Sequence, residues 1–311
     1  MKHILVTGGA GFVGSHTVEA LLAQGCRVTV LDNLSNGQRA NLCPTALVSG
    51  QLSLEVGDVR DASVVDATVQ GCDAVLHLAA QVSVQSSVAE PVASASHNVT
   101  GFLNVLDAVR RHKVPRLVYA SSAAVYGVPE ALPLTEASRA DPLSPYGLEK
   151  LINDHYAKLH HTLYGVSVVG MRYFNIYGPR QDPKSPYSGV ISKFADGLES
   201  GATLRVFGDG MQTRDFVYVG DVAQANLRVL GTNIQGVLNI GTGHSVTLLQ
   251  LIDEMAKAFG KTPRIQHEPP ASGDIAHSAT STLRLADALA WQPATALLCG
   301  LQALAVSLRS T

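Results

Sequence analysis

The first half of the chain alternates short apolar runs with longer stretches whose apolar positions recur at helical spacing. Residues 3–7 (HILVT), 27–31 (RVTVL), 53–56, 73–77 (DAVLH), 116–120 (RLVYA) and 165–170 (GVSVVG) read as strands. Residues 12–24, 92–111 and 145–164 read as helices. Strands alternating with helices predict βαβ units and a parallel sheet. The runs are apolar throughout, which fits a sheet covered on both faces. After about residue 172 the rhythm changes. Residues 175–190 (NIYGPRQDPKSPYSGV) and 268–274 (EPPASGD) read as loops, and 236–241 (GVLNIG) as a late strand. Residues 247–259 carry Leu248, Leu251, Ile252, Met255 and Phe259 on one helical face, with Gly260 as a C-cap. The expected fold is a Rossmann-like, doubly wound parallel α/β sheet with a smaller C-terminal α/β substrate-binding domain. Residues 1–173 and 216–242 are assigned to the first part, 174–215 and 243–311 to the second.

Composition narrows the function classes. Of 311 residues, 46% are apolar and 15% charged, against a usual charged share of about 25%, so much of the chain is expected to be buried or at an interface. The net charge of −2 and the absence of a basic patch argue against nucleic acid as a partner. No apolar run approaches the ~18 residues of a membrane span, and the N-terminus lacks the pattern of a signal peptide. The cysteines, Cys26, Cys43, Cys72 and Cys299, show no metal or redox spacing. A cytoplasmic location without a metal site is expected.

Residues 7–14 read TGGAGFVG, so that Gly9, Gly11 and Gly14, or Gly8, Gly11 and Gly14, supply a glycine motif between a strand and a helix. A pyrophosphate there must approach backbone N–H groups at a helix N-terminus, and Cβ atoms would block it. Asp32 ends the second strand, where a carboxylate accepts both adenosine ribose hydroxyls and repels a 2′-phosphate, favouring NAD over NADP. Asp58 ends the third strand and is a candidate for the adenine.

Residues 144–150 read SPYGLEK. Ser144 suits an N-cap and Pro145 the first helical position, which leaves Tyr146 and Lys150 on one helix face. An ammonium beside a phenol is expected to lower the phenol's pKa and make it a general base. Ser122 follows the strand 116–120 in YASSAAVYG, where a hydroxyl can bond a substrate oxygen.

These motifs, with DNLSNG, GDVRD, HLAA, RYFNIYGPRQ and TRDFVYVGDV in the same order, give a chain that resembles the extended short-chain dehydrogenase/reductase family over essentially its whole length. It looks most like the UDP-glucose/UDP-galactose 4-epimerases and their N-acetylhexosamine relatives. The resemblance implies NAD-dependent C4 epimerisation of a UDP-hexose through a 4-keto intermediate, with Ser122, Tyr146 and Lys150 catalytic. It places Gly8, Gly11, Phe12, Val13, Gly14, Asp32, Asn33, Asn36, Gly37, Asp58, Val59, Leu78, Ala79, Ala80, Gln81, Asn98 and Phe174 at NAD, beside Tyr146 and Lys150. It places Ser83, Asn175, Gly189, Val190, Arg205, Phe207, Arg214, Asp274 and Ser278 at the UDP-sugar, beside Ser122 and Tyr146.

Sugar dehydratases resemble a pattern with an acidic pair after the Ser/Thr; here those positions are Ala123 and Ala124. Ser278 occupies a gate position whose small size leaves room for an acetamido group, so UDP-GlcNAc/UDP-GalNAc stands beside UDP-glucose/UDP-galactose. Ala271 replaces an arginine that relatives aim at the diphosphate. A nucleotide-sugar dehydratase or reductase, and a non-catalytic NAD sensor, are the rival readings; the sensor is disfavoured by the presence of both Tyr146 and Lys150. His77 reads as a satisfied core or crevice histidine, and His160 and His161 as a solvated face. The helices 92–111 and 145–164 pack on the sheet and, by resemblance, pair across a two-fold in a homodimer.

Overall fold

The computed structural model describes residues 2–181, 189–270 and 275–309. Two compact units result. The first comprises residues up to Gly127, Ala140–Tyr173 and Val222–Leu238; the second comprises Val128–Arg139, Phe174–Asp221 and Asn239 onward. Residues 128–139, 216–221 and 239–242 thus group with the second unit, although they lie in the stretches assigned above to the first.

The strands of the main sheet are β1 (His3–Thr7), β2 (Arg27–Asp32), β3 (Leu52–Val56), β4 (Ala74–His77), β5 (Leu117–Ser122) and β6 (Val168–Tyr173). The second unit adds β7 (Asn175–Tyr177), β8 (Thr203–Phe207) and β9 (Thr213–Tyr218). Then β10 (Gly236–Ile240) returns to the main sheet, and β11 (Ser245–Thr247) and β12 (Arg264–Glu268) follow. The seven-stranded order is β10-β6-β5-β4-β1-β2-β3. All pairings from β3 to β6 are parallel, and the chain reverses its winding between β1 and β4. At such a switch point the C-terminal strand ends open a crevice for ligands. Leu5, Val75, Leu117 and Val168 of the sheet pack with Val65, Phe102, Val105, Leu106 and Val109 of flanking helices in one fully apolar core. Burial on both faces is why these strands show no alternation.

One expected helix is interrupted. Between Pro91–Ala95 and Gly101–Arg111 lies a wide π-turn, Ser96–Thr100. Such bulges often mark functional positions. This one turns Asn98 inward to 1% exposure, where it accepts from Gln81 N and donates to Gln81 O, each at 2.8 Å.

In the second unit, β7, β9 and β11 form one small sheet and β8 and β12 another. Residues 175–177, expected as loop, are a strand because Asn175, Ile176 and Tyr177 pair with Phe216, Val217 and Tyr218 of β9, a partner remote in sequence. The helix Leu248–Phe259 ends on left-handed Gly260, as expected. Its five apolar residues pack with Phe194, Val206, Leu301 and Leu304 in a separate core. Fully buried Asp215 on β9 accepts from Thr242 N, Thr242 Oγ1 and Gly243 N. This fixes the turn between β10 and β11.

Candidate active site

The β1 turn is built for close approach. Gly8 has φ +70°, and a Cβ there would lie 2.7 Å from the Ala79 backbone nitrogen; a Cβ on Gly14 would strike the Gly8 carbonyl oxygen. The helix Phe12–Ala23 begins after Gly11 with no side-chain cap and no acidic residue in its first turn. Its N-terminal donors and positive dipole end are left for an external anion. Asp32 is 7% exposed. Its oxygens accept from Ala10 N at 3.0 Å and Leu34 N at 2.9 Å, one each, so each keeps acceptor capacity. Gly37 lies against both oxygens. A glycine cradle, an uncapped helix start and a fixed carboxylate with spare lone pairs fit a dinucleotide.

Around this cradle, Phe12 and Val13 begin the helix and are partly exposed. Leu78, Ala79, Ala80 and Gln81 form the loop after β4. Asn36 is exposed, and exposed Asn33 donates to Asp58 at 3.1 Å. Asp58 is also gripped by Arg60 through Nε and Nη2 at 2.9 and 2.7 Å. The Arg60 hydrogen bond holds the carboxyl well below its usual range. Val59 is buried against Gly101, and Ser83 caps the helix Val84–Ala89.

Ser122 ends β5, and its hydroxyl accepts from Ala124 N at 3.1 Å in a short turn over Ala123–Tyr126. Ser144 caps the helix Pro145–Tyr164 by accepting from Gly147 N, with Pro145 at its start, as expected. Tyr146 shares a hydrogen bond with Ser122, and Lys150 Nζ stands 5.8 Å from the Tyr146 ring centre while donating to Ala120 O at 3.0 Å. The three residues come together. The expected electrostatics do not hold in this state. Burial raises the Tyr146 pKa, against the Ser122 hydrogen bond and together with the Glu149 charge. Lys150 itself is lowered to about 8, chiefly by burial, with Asp154 and Glu149 opposing. The ammonium sits 2% exposed and bonds a carbonyl rather than the phenol. A positive charge brought close to the ring is what a phenolate here would still need.

Two further features escaped the sequence reading. Asp154 repeats the four-residue spacing of Tyr146 and Lys150. Its carboxylate accepts from Tyr119 Oη at 2.8 Å and Arg172 Nε at 3.0 Å, and Arg172 donates to Tyr126 Oη at 3.0 Å. Removing one member of a buried pair leaves the other charge uncompensated. Asp154→Ala is therefore expected to lower stability by about 3–5 kcal/mol, read from urea unfolding midpoints. The second feature is Glu149, 4% exposed, on the same helix.

His77 at the end of β4 bonds Thr7 Oγ1 through Nδ1 at 2.8 Å. Burial, aided by the Lys150 charge, pushes it down to about 3. The unfolded histidine takes up a proton near its ordinary value of 6.5, whereas the folded one resists. Stability is thus expected to fall as pH drops from about 6.5 toward 3, and His77→Gln to flatten that slope in unfolding curves across pH.

Of the proposed sugar-binding residues, Ser83, Ser122 and Tyr146 lie in the first unit and the others, with Phe174, in the second. Phe174 is buried, and Asn175 donates to Asp215 O at 3.2 Å. Gly189 precedes the helix Val190–Ser200. Arg205 and Phe207 project from the exposed face of β8. Arg214 donates to Thr213 O at 2.9 Å. Ser278 N donates to Thr213 O at 3.1 Å, and its side chain is partly exposed. Asp274 and Ala271 lie outside the described residues.

The NAD dependent epimerase/dehydratase family model matches residues 4–241. A UDP-glucose 4-epimerase from Mycolicibacterium smegmatis is 37% identical over 300 residues, covering 96% of this chain and 95% of that protein. The UDP-N-acetylglucosamine 4-epimerase from Methanobrevibacter ruminantium, in complex with UDP-N-acetylmuramic acid, superposes with a TM-score of 0.95. It is 35% identical and covers 99% of this chain and 98% of that one. The Thermus thermophilus UDP-glucose 4-epimerase complex with NAD gives a TM-score of 0.89 at 39% identity, with 99% of each chain covered.

Proposed function

The chain belongs to the NAD dependent epimerase/dehydratase family, and from that premise we propose that it is an NAD-dependent UDP-sugar 4-epimerase. The observation that carries the reading is the meeting of Ser122, Tyr146 and Lys150 at the end of a sheet whose β1 turn fits a dinucleotide. Gly8, Gly11, Gly14 and Asp32 would hold NAD through backbone donors and the ribose hydroxyls. NAD, when bound, supplies reversible oxidation at the sugar C4. Tyr146 removes the proton from the 4-hydroxyl and returns it after the sugar has turned its other face. Ser122 bonds the same substrate oxygen and keeps it in line with the phenol. Lys150 carries its positive charge 5.8 Å from the phenol ring centre and would hold the nicotinamide ribose.

Ser83, Asn175, Gly189, Val190, Arg205, Phe207, Arg214 and Ser278 are, beside Ser122 and Tyr146, the proposed UDP-sugar residues, with Asp274 outside the described segment. Arg214 takes the diphosphate, where a guanidinium bonds two oxygens at once. Small Ser278 admits an N-acetyl group. Dehydration is disfavoured because Ala123 and Ala124 offer no carboxyl acid–base pair for eliminating water. The working unit is proposed to be a homodimer, since Val92, Leu148, Leu159 and Leu163 are exposed apolar side chains on the helices that would pair. Cytoplasmic placement is supported by four free cysteines. No described helix is long and apolar enough to cross a membrane.

The test is incubation with UDP-galactose and, separately, UDP-GalNAc, without added cofactor, followed by NMR. Conversion of either to its 4-epimer at constant mass supports the reading, and the ratio of rates measures what Ser278 admits. Release of a dehydrated sugar, or no turnover even with NAD added, overturns it.

A further inference from the structure

On the helix that carries Tyr146 and Lys150, Glu149 joins a buried polar cluster whose hydrogen bonds take no part in the proton transfer above. Glu149 Oε2 accepts from Asn98 Nδ2 at 2.6 Å and from Ser94 Oγ at 2.8 Å. Asn98 is itself bonded both ways to the Gln81 backbone, and its carbonyl accepts from Asn153 Nδ2 at 3.0 Å. Ser94, Asn98, Glu149 and Asn153 are all at most 4% exposed. One carboxylate therefore ties three segments together: the loop after β4, the helix–π-turn segment Pro91–Thr100, and the helix that carries Tyr146 and Lys150. Glu149 Oε1 has no hydrogen-bond partner among the described residues. A buried acidic side chain with one oxygen unpaired is costly to fold around. A neutral residue of similar shape would make the same tie without burying a charge, so the charge itself calls for a role.

We propose that Glu149 is a positioning residue whose buried carboxylate, clamped by Asn98 and Ser94, locks the helix of Tyr146 and Lys150 to the loop at Gln81 and holds a negative charge beside the pair. This deepens the epimerase reading and rests on it for its effect on turnover. The charge acts on both groups in one direction, because Glu149 raises the pKa of Tyr146 and of Lys150. It keeps the lysine a cation against the burial that drives it down, and it restrains the phenol from ionising before a positively charged cofactor is in place. The other groups facing the pair are neutral His77 on β4, Asp154 on the same helix, and the Ser122 hydroxyl. Arg172 of β6 and Tyr119 of β5 both bond Asp154. Among the described residues, no cation forms an ion pair with Glu149, and only the Asn98 and Ser94 donors offset its charge.

The decisive experiment is Glu149→Gln in the holoenzyme, which keeps shape and hydrogen bonds and removes the charge. The acid limb of kcat/KM against pH is expected to move down by on the order of one unit, and Glu149→Asp to restore much of it. The same displacement should appear without turnover. It is read as the ultraviolet absorbance of the ionised phenol, taken as the difference between each protein and its Tyr146→Phe counterpart. An unmoved or upward-moved limb and phenol titration overturns the inference. If the parent protein turns over no UDP-sugar, the epimerase reading fails while the phenol titration still decides this one. If Glu149→Gln does not fold, Ser94→Ala, which strips one compensating donor from the carboxylate but leaves its charge, should move the phenol titration upward, opposite to the loss of the charge, and an unmoved or downward-moved titration there overturns it.

Discussion

Tyr146→Phe is expected to lower kcat by about three orders of magnitude while leaving the fold intact, as general acid–base catalysis contributes ~10²–10⁴. The substitution removes one oxygen. The ring remains packed beside Lys150, whose bond to Ala120 O does not involve the phenol, and the helix keeps its Ser144 cap and Pro145 start. What disappears is the group that takes and returns the 4-hydroxyl proton, with its hydrogen bond to Ser122. Thermal unfolding and the NAD content of the purified protein should match the parent. A variant that kept a tenth or more of the parent's kcat would show that Tyr146 is not the base, and would move attention to a water-borne proton path.

Gly14→Val should abolish NAD retention and activity together. The obstacle at Gly14 is backbone: an added Cβ runs into the Gly8 carbonyl oxygen and within 2.7 Å of Gly9 Cα. A flexible side chain can move aside, whereas these atoms belong to the turn that must present its N–H groups to a pyrophosphate. Gly8 is equally committed, since its φ of +70° disfavours any side chain and its own neighbours are the Ala79 backbone. NAD released by acid precipitation and measured by absorbance should fall to background, and added NAD should no longer raise the melting temperature. The contrast with Tyr146→Phe separates the two functions of the site: one change stops chemistry with cofactor held, the other stops binding.

Each of these effects traces to residues visible at different levels. The dinucleotide turn was legible because its requirement is local: glycines between a strand and a helix, and an acid at the next strand's end. The Ser144–Pro145 start and the Tyr146/Lys150 spacing are likewise properties of a single helix, and they were found where expected. So were most of the main strands, whose unbroken apolar character reports burial on both faces; the run expected at 165–170 pairs as Val168–Tyr173, because Gly165 still closes the preceding helix.

What the sequence alone determined about this protein, then, is whatever one segment can specify for itself: the parallel strands, the cofactor turn and the catalytic helix. What only the tertiary structure decided is whatever depends on a partner distant in the chain. β7 became a strand because β9 lay beside it. Asn98 turned inward because a π-turn met Gln81. Tyr146 has a raised pKa because burial outweighs the bond from Ser122 and the lysine expected to lower it is held by Ala120. Glu149 and Asp154 look like ordinary charges on a helix until Ser94, Asn98, Tyr119 and Arg172 close around them. Spacing along a helix fixes which face a side chain shares, but burial and hydrogen-bond partners set its charge and its energy, and those come from the other segments of the fold.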